Sequence, residues 1–348
     1  MDLDLTPEQD LLRESVRGIC TRHSGLDVVR QLEDDPIGYP EKLWLQLGEL
    51  GLTDMRDLGM VDGAVVYQEL GRSLAPSPHF VSSVLSAGLL ARVGGEKPVE
   101  SIFAPAWLEP DRGFGPKGVT ARVDSGGRVT GIKRHVAFAK AADTLVVLAR
   151  DEADGEIRYV LVDPSADGVA LTQQHTIGSD AQYRVDLVGA AGDVLPGTGW
   201  AAWDETMHDG IILLAAQAVG GARYALDITV QYAKDRHQFD KPLGAFQALA
   251  HYLADAVTTV DGAETLVYEA AWARDNGQSV ARLAPMAKLF ACKTFRDVTA
   301  MAQQIFGGVG FTVEYDIQLY FRRAKQLQIS WWNDRYLEEL IAADVLDT

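Results

Sequence analysis

Residues 235–247 read Asp235-Arg236-His237-Gln238-Phe239-Asp240-Lys241-Pro242-Leu243-Gly244-Ala245-Phe246-Gln247. Pro242 and Gly244 mark a turn, and apolar residues at helical spacing flank it on both sides. Upstream, Leu214, Ala218, Ala225 and Ile228 share one face of a helix predicted over 211–233. Downstream, Phe246, Leu249, Leu253, Val257 and Val260 define a second. Arg236 therefore stands at a helix end. A forked cation there suits a phosphate or pyrophosphate, and it serves equally as a C-cap beside an ordinary turn.

A third helical stripe runs through Val280, Leu283, Ala287, Phe290, Val298, Met301 and Ile305 and stops in Gln303-Gln304-Ile305-Phe306-Gly307-Gly308-Val309-Gly310. Three glycines at a helix end let another backbone or a ligand approach closely, and the Gln304 amide can hydrogen-bond one. A Schellman-type helix end is the plainer alternative. A shorter helix is predicted over 334–343. Long antiparallel helices joined by short turns make 205–348 a four-helix bundle.

Working toward the N-terminus, the periodicity changes to two. Short alternating or buried runs at 119–123, 129–136, 144–148, 156–162, 169–173 and 183–188, with a hairpin turn at Gly126-Gly127, make 105–204 a small antiparallel barrel or sandwich. Residues 1–104 return to helix. Thr6 as N-cap, Pro7 at the first helical position and Gln9 closing a capping box start the first helix. Further helices are predicted over 40–50, 62–74 and 81–93, the last stopped by Gly94-Gly95. The fold class is thus α+β and multi-domain: helical domain, β domain, helical bundle.

The chain has 348 residues, 47% hydrophobic and 23% charged, so it can bury a sizeable core. Thirty-two Lys+Arg against 49 Asp+Glu give a net charge of −17, which disfavours nucleic-acid and anionic-membrane partners. Two cysteines, Cys20 and Cys292, make no disulfide framework, and Cys292 reads as a core residue. The acidic start MDLDLTPEQD lacks the pattern of a signal peptide, and no apolar run approaches the ~20 residues that span a bilayer. The expectation is a cytoplasmic protein with no metal site.

Arg236-x-x-Phe239-x-x-Pro242-Leu243-x-x-Phe246-Gln247, then Gln304-x-x-Gly307-Gly308-x-Gly310, Glu314-Tyr315 and Arg322-Arg323-Ala324-Lys325, resembles the C-terminal domain of the acyl-CoA dehydrogenase family. Gly131-Ile132-Lys133, Ala142-Asp143 and Glu109-Pro110 are similar to segments of that family's middle domain. The resemblance implies FAD-dependent α,β-dehydrogenation of an acyl-CoA thioester, in which a carboxylate removes the α proton and the β hydrogen leaves as hydride. It also implies that Arg236, Gln238, Phe239, Gln247, Gln304, Gly307 and Gly308 hold the adenine-diphosphate end of an FAD bound mainly by a neighbouring subunit.

The same resemblance exposes departures. Where most members carry the base in a Glu-Gly-Thr sequence, this chain has Trp331-Trp332-Asn333. Where others carry it at the start of the first bundle helix, this chain has Gly210. The hydroxyl residue of the flavin-facing strand is replaced by Ala137, and Asp111-Arg112-Gly113-Phe114-Gly115 replaces a Gly-Ser-Asp segment. His135 is either a flavin contact or a strand-end histidine with a local hydrogen bond, and Trp331-Trp332 either line a pocket or fill one. With no catalytic residue at either base position, the chain resembles the short, non-catalytic subunits of actinobacterial α2β2 acyl-CoA dehydrogenases, which pair with a full-length subunit. Two alternatives stand beside this. One is a self-sufficient homo-oligomeric enzyme using Asp209, Glu205 or another carboxylate as base. The other is a structural or regulatory partner without cofactor.

Overall fold

The computed structural model describes residues 4–55 and 58–346. Helices come first: α1 (Pro7–His23), α2 (Leu26–Gln31), α3 (Glu41–Glu49), α4 (Met60–Arg72) and α5 (Ala87–Val93), with α5 continuing a π-helical segment, Phe80–Ser86. Strands follow: β1 (Phe103–Ala106), β2 (Arg122–Val123), β3 (Arg128–Ala137), β4 (Thr144–Asp151), β5 (Ile157–Val162), β6 (Val169–Gln174) and β7 (Gln182–Thr198). The chain then forms α6 (Ala201–Asp235), a hairpin of β8 (His237–Gln238) and β9 (Lys241–Pro242), α7 (Gln247–Asp275), α8 (Leu283–Phe306), α9 (Ile317–Ile329) and α10 (Asp334–Leu346). The described residues of Met1–Asp27, Leu58–Ala75 and Ile211–Thr348 form one compact unit, and those of Val28–Asp57 and Pro76–Gly210 a second.

In the first unit, Thr6 and Gln9 make the expected capping box at the start of α1. Arg17 on α1 forks onto Glu69 of α4 at 2.7 and 2.8 Å. α4 and α6 meet backbone to backbone. A Cβ on Gly71 would lie 2.0 Å from the Gln217 carbonyl oxygen, and one on Gly220 would lie 1.9 Å from that of Gln68, so glycine is required at both points. The bundle is built around α6. Its Arg223 pairs with Asp261 and Glu264 of α7, each at 2.7 Å. Gly221 makes room for Phe295 of α8, and Tyr224 packs on Tyr320 of α9 with ring centroids 5.4 Å apart.

Two expectations need correcting here. The fourth bundle helix is α9, where no helix was read, rather than the one over 334–343, which is α10. α9 buries Ile317, Leu319, Tyr320, Ala324 and Leu327, but Arg322, Arg323 and Lys325 interrupt that stripe in the sequence and hide its period. In addition, α6 is long and apolar enough to cross a membrane by length and composition. Most of its apolar stretch is buried inside the fold, as the central helix of a bundle must be.

In the second unit, β3, β5 and β6 pair antiparallel with β7, and β4 with β5. β2 joins β3 antiparallel and β4 parallel, so the ladder β4–β2–β3–β7–β5–β4 closes on itself as a barrel. β1 adds parallel to β4. The domain is therefore a barrel with two parallel ladders in an otherwise antiparallel set. β1, Phe-Ala-Pro-Ala, is buried throughout and has no alternation to betray it. β7 runs to Thr198, past the end of the 183–188 run, and Gly189, Gly192, Pro196 and Gly197 are what make that part look like a loop in the sequence.

Candidate functional site

The turn after α6 is a two-residue β-hairpin. His237 pairs with Pro242 and Gln238 with Lys241, and the Leu243 N–H donates to the Arg236 carbonyl at 2.8 Å. The two central residues, Phe239 and Asp240, have φ of 54° and 64°. Positive φ at both is the geometry of a type I′ turn, which Asn-Gly adopts at little cost. A phenylalanine there is strained by ~1–2 kcal/mol. Its ring is nevertheless 86% exposed, meeting Phe246 edge-on at 6.2 Å. Lys241 lies over the Phe246 ring at 4.2 Å. Arg236 is exposed, and among the described residues no side chain pairs with its guanidinium. Gln238 folds onto the His237 carbonyl at 2.9 Å, and Gln247 is exposed on the first turn of α7.

The loop after α8 begins at Gly307, whose φ of 66° and ψ of −143° only glycine adopts readily. A Cβ on Gly307 or Gly308 would meet no atom within 4 Å. Gly307 is thus required by backbone conformation, and Gly308 faces open space. Gln304 is exposed. What joins loop and turn was not read from the sequence. Tyr232, one turn before Arg236, stacks on Phe306 with centroids 4.1 Å apart and planes 14° from parallel. The C-terminal ends of α6 and α8 therefore meet, and the arginine turn and the glycine loop share one end of the bundle. A Tyr at the end of one apolar helix and a Phe just before the glycines of another were the available signal.

Neither position that the family resemblance implies for the base, Gly210 or Trp331, holds a carboxylate. A Cβ on Gly210 would stand 2.8 Å from Leu85 Cδ2 and 3.3 Å from Phe80 Cζ, so the π-helical segment already fills that space. Trp331 is half-buried and Trp332 fully buried, with φ of 54° and 73°. Trp332 packs edge-on against Tyr336 at 5.3 Å. Of the fallback carboxylates, Asp209 is 15% exposed and bound to Arg92 at 2.6 Å. Glu205 is 66% exposed and faces the same arginine at 3.5 Å.

In the barrel, Glu109 and Lys133 are both buried and pair at 2.7 Å. Glu109 also accepts from the Thr120 and Ala121 N–H groups, each at 2.9 Å, and from the Thr120 hydroxyl. Burial alone would raise the Glu109 pKa. The Lys133 ammonium and these donors outweigh it and hold the carboxyl below its usual range. Lys133 donates further to the carbonyl of Leu148 at 2.6 Å. Two residues from the segments read as similar to the family's middle domain, Glu109 and Lys133, thus form a structural pair. His135 sits in the bulge between Lys133 and Val136 at φ 50°, its N–H donating to Gln174 Oε1 at 2.9 Å. Burial and the neighbouring Arg134 lower its pKa.

A second buried lysine, Lys288 on α8, was not singled out in the sequence. It is 0% exposed and donates to the carbonyls of Trp332 at 2.8 Å and Leu327 at 3.2 Å. A lone charge among Ala284, Ala287, Ala291 and Cys292 was its signal. Cys20 and Cys292 are buried free thiols, and burial pushes Cys20 up to about 12.

Comparison with known proteins accords with this geometry. The family model described as "Acyl-CoA dehydrogenase, N-terminal domain" matches residues 6–102, and "Acyl-CoA dehydrogenase, C-terminal domain" matches 197–346. Among curated relatives, acyl-CoA dehydrogenase IpdE2 of Mycolicibacterium smegmatis is 31% identical over 331 residues, spanning 92% of this chain and 93% of that protein. Among solved structures, the ChsE4-ChsE5 complex of Mycobacterium tuberculosis superposes with a TM-score of 0.88 at 26% identity, covering 100% of both chains. The Tcur3481-Tcur3483 steroid ACAD does so with 0.85 at 29%, covering 97% of this chain and 98% of that one. The chain belongs to the acyl-CoA dehydrogenase family, whose members are FAD-binding oxidoreductases.

Proposed function

We propose that this chain is the non-catalytic subunit of a two-component acyl-CoA dehydrogenase, contributing residues to an FAD held mainly by a full-length partner chain. The observation that carries this is an asymmetry. The end of the bundle that bears Arg236, Gln238, Phe239, Gln247, Gln304, Gly307 and Gly308 is exposed and has unmet binding capacity, whereas both base positions lack a carboxylate and one is filled. A free guanidinium beside an open glycine backbone suits an anionic diphosphate. The strained, exposed Phe239 suits a surface that another chain covers.

In that arrangement Arg236 donates its forked N–H groups to the diphosphate. Gly307 and Gly308 let the cofactor's adenine end approach the backbone, and the Gln304 amide hydrogen-bonds it. The flavin supplies the hydride acceptor for α,β-dehydrogenation. The partner's glutamate supplies the base, and this chain supplies none. Asp209 and Glu205 are poor substitutes, because Asp209 is tied to Arg92 at 2.6 Å and Glu205 faces the same arginine at 3.5 Å. The related chains solved as a two-component complex support an α2β2 assembly. The steroid enzyme among them supports a bulky acyl-CoA substrate, with fatty acyl-CoA the alternative.

The test is purification with and without the full-length partner. Alone, the chain should carry little flavin absorbance. The complex should hold one FAD per pair of chains. A yellow, active homo-oligomer of this chain would refute the proposal.

A further inference from the structure

We propose that Lys288 is the positioning residue of the α9–α10 connection: its buried side chain, reaching across from α8, holds Trp331 and Trp332 in left-handed backbone. α9 ends at Ile329, and its last carbonyls have no partner within the helix. One of them, Leu327, accepts from Lys288 Nζ at 3.2 Å, with the Cys292 thiol 3.8 Å from the same oxygen. Ser330 then extends the chain (φ −89°, ψ 154°). Trp331 and Trp332 follow at φ 54° and 73°, and the Trp332 carbonyl returns to Lys288 Nζ at 2.8 Å.

Two consecutive residues with large side chains in the left-handed region persist only where the surroundings over-determine them. The fixing points are visible. Lys288 ties both sides of the Trp331 peptide to α8. Trp332 is buried against Tyr336. Asn333 Oδ1 accepts from the Tyr336 N–H at 3.1 Å and starts α10. No carboxylate hydrogen-bonds the Lys288 ammonium among the described residues, and Asp334 acts on it only at longer range. A wholly buried ammonium without a bonded counter-ion is costly unless carbonyls satisfy it. Here the satisfied carbonyls are those that define the turn. The inference goes beyond the proposed cofactor role, because it concerns why the segment aligned with the family's base presents a rigid tryptophan pair.

The test uses the full chain labelled with 5-fluorotryptophan at its seven tryptophans, each resonance assigned by single Trp→Phe replacement. Lys288→Met should shift and broaden the Trp331 and Trp332 resonances and leave the other five in place. Lys288→Arg, which keeps the donors, should shift them less. A folded Lys288→Met chain with both resonances unmoved would overturn the proposal. So would shifts spread over all seven, or a chain that folds with neither replacement, since Lys288 would then be a general core residue. None of these readouts depends on FAD, so this inference and the cofactor proposal fail separately.

Discussion

Tyr232 and Phe306 stack in parallel, 4.1 Å apart, where the arginine turn and the glycine loop meet at one end of the bundle. Neither residue belongs to the set proposed to meet the cofactor. Tyr232→Ala should therefore weaken FAD retention in the complex indirectly. It should also lower the unfolding free energy of the isolated chain by ~2 kcal/mol or more, combining lost aromatic burial with the ~0.5–1.5 kcal/mol of the pair itself. Urea unfolding reads the second effect and flavin absorbance the first. FAD retention unchanged alongside the stability loss would separate the turn and loop from cofactor binding.

Arg236→Ala isolates the direct contact. The guanidinium has no partner within the described chain, so stability of the isolated chain should change little. In the complex, a charged hydrogen bond worth ~1.5–3 kcal/mol is lost, and FAD affinity should fall about 10- to 100-fold. Equilibrium dialysis of the complex against FAD measures this. Undiminished affinity would make the turn a structural feature only.

Much of the frame was legible in the sequence because its elements carry strong local signals. The Thr6–Gln9 box, the alternation of β3 and the helical spans of α7 and α8 needed no tertiary information, although of the stripe read on α7 only Val260 is buried and Val257 is exposed, the buried face being the alanine-rich one through Ala256, Ala263 and Ala270. What escaped has a physical reason in each case. β1 is buried on both faces and shows no period. The end of β7 is rich in glycine and proline. α9 hides a buried stripe under arginines and lysine. For the candidate site, the motif residues were readable one segment at a time. That Arg236 pairs with no side chain among the described residues, that Gly210 is closed off by Phe80 and Leu85, and that Lys288 bonds the Trp332 carbonyl are facts of packing between distant segments, which no local pattern carries.

The buried Glu109–Lys133 pair gives a pH prediction. Glu109 is held below its ordinary 4.5 in the folded chain, so its contribution to stability is present above that value and is lost as pH falls through the lower, folded pKa. Lys133→Met removes the opposing charge and leaves Glu109 buried, which reverses the shift. That variant should lose ~3–5 kcal/mol at neutral pH. Because its Glu109 favours the protonated form, the gap to the parent chain should narrow on acidification. Urea midpoints from pH 7 down to 4 test this, and a gap that widens in acid would contradict it.

Gly210 gives a steric prediction. In a helix, Gly→Ala normally gains ~1 kcal/mol of propensity. Here a Cβ would stand 2.8 Å from Leu85 Cδ2, and overpacking costs ~1–3 kcal/mol. Gly210→Ala should therefore destabilise the chain or leave it level, and Gly210→Glu should destabilise it further without creating activity. A clear rise in melting temperature for Gly210→Ala would show that the Phe80–Ser86 segment yields readily.

The sharpest prediction concerns chemistry. Abstracting a thioester α proton requires a base within ~2.6–3.2 Å of it. Trp331 and Gly210 cannot accept that proton, and Asp209 is committed to Arg92 at 2.6 Å. The isolated chain, even with FAD in excess, should reduce no dye acceptor with any acyl-CoA above background. In the complex, Asp209→Asn and Glu205→Gln should leave turnover nearly unchanged, since Asp209 is tied to Arg92 at 2.6 Å and Glu205 faces the same arginine at 3.5 Å. Removing the partner's glutamate should abolish turnover, because general acid–base catalysis is worth ~10²–10⁴-fold. Asp209→Asn leaves the side chain's size intact, so a drop in turnover from that change could not be assigned to packing. If the isolated chain turns over an acyl-CoA and Asp209→Asn stops it, Arg92 must release the carboxylate on substrate binding, and this chain is a self-sufficient dehydrogenase.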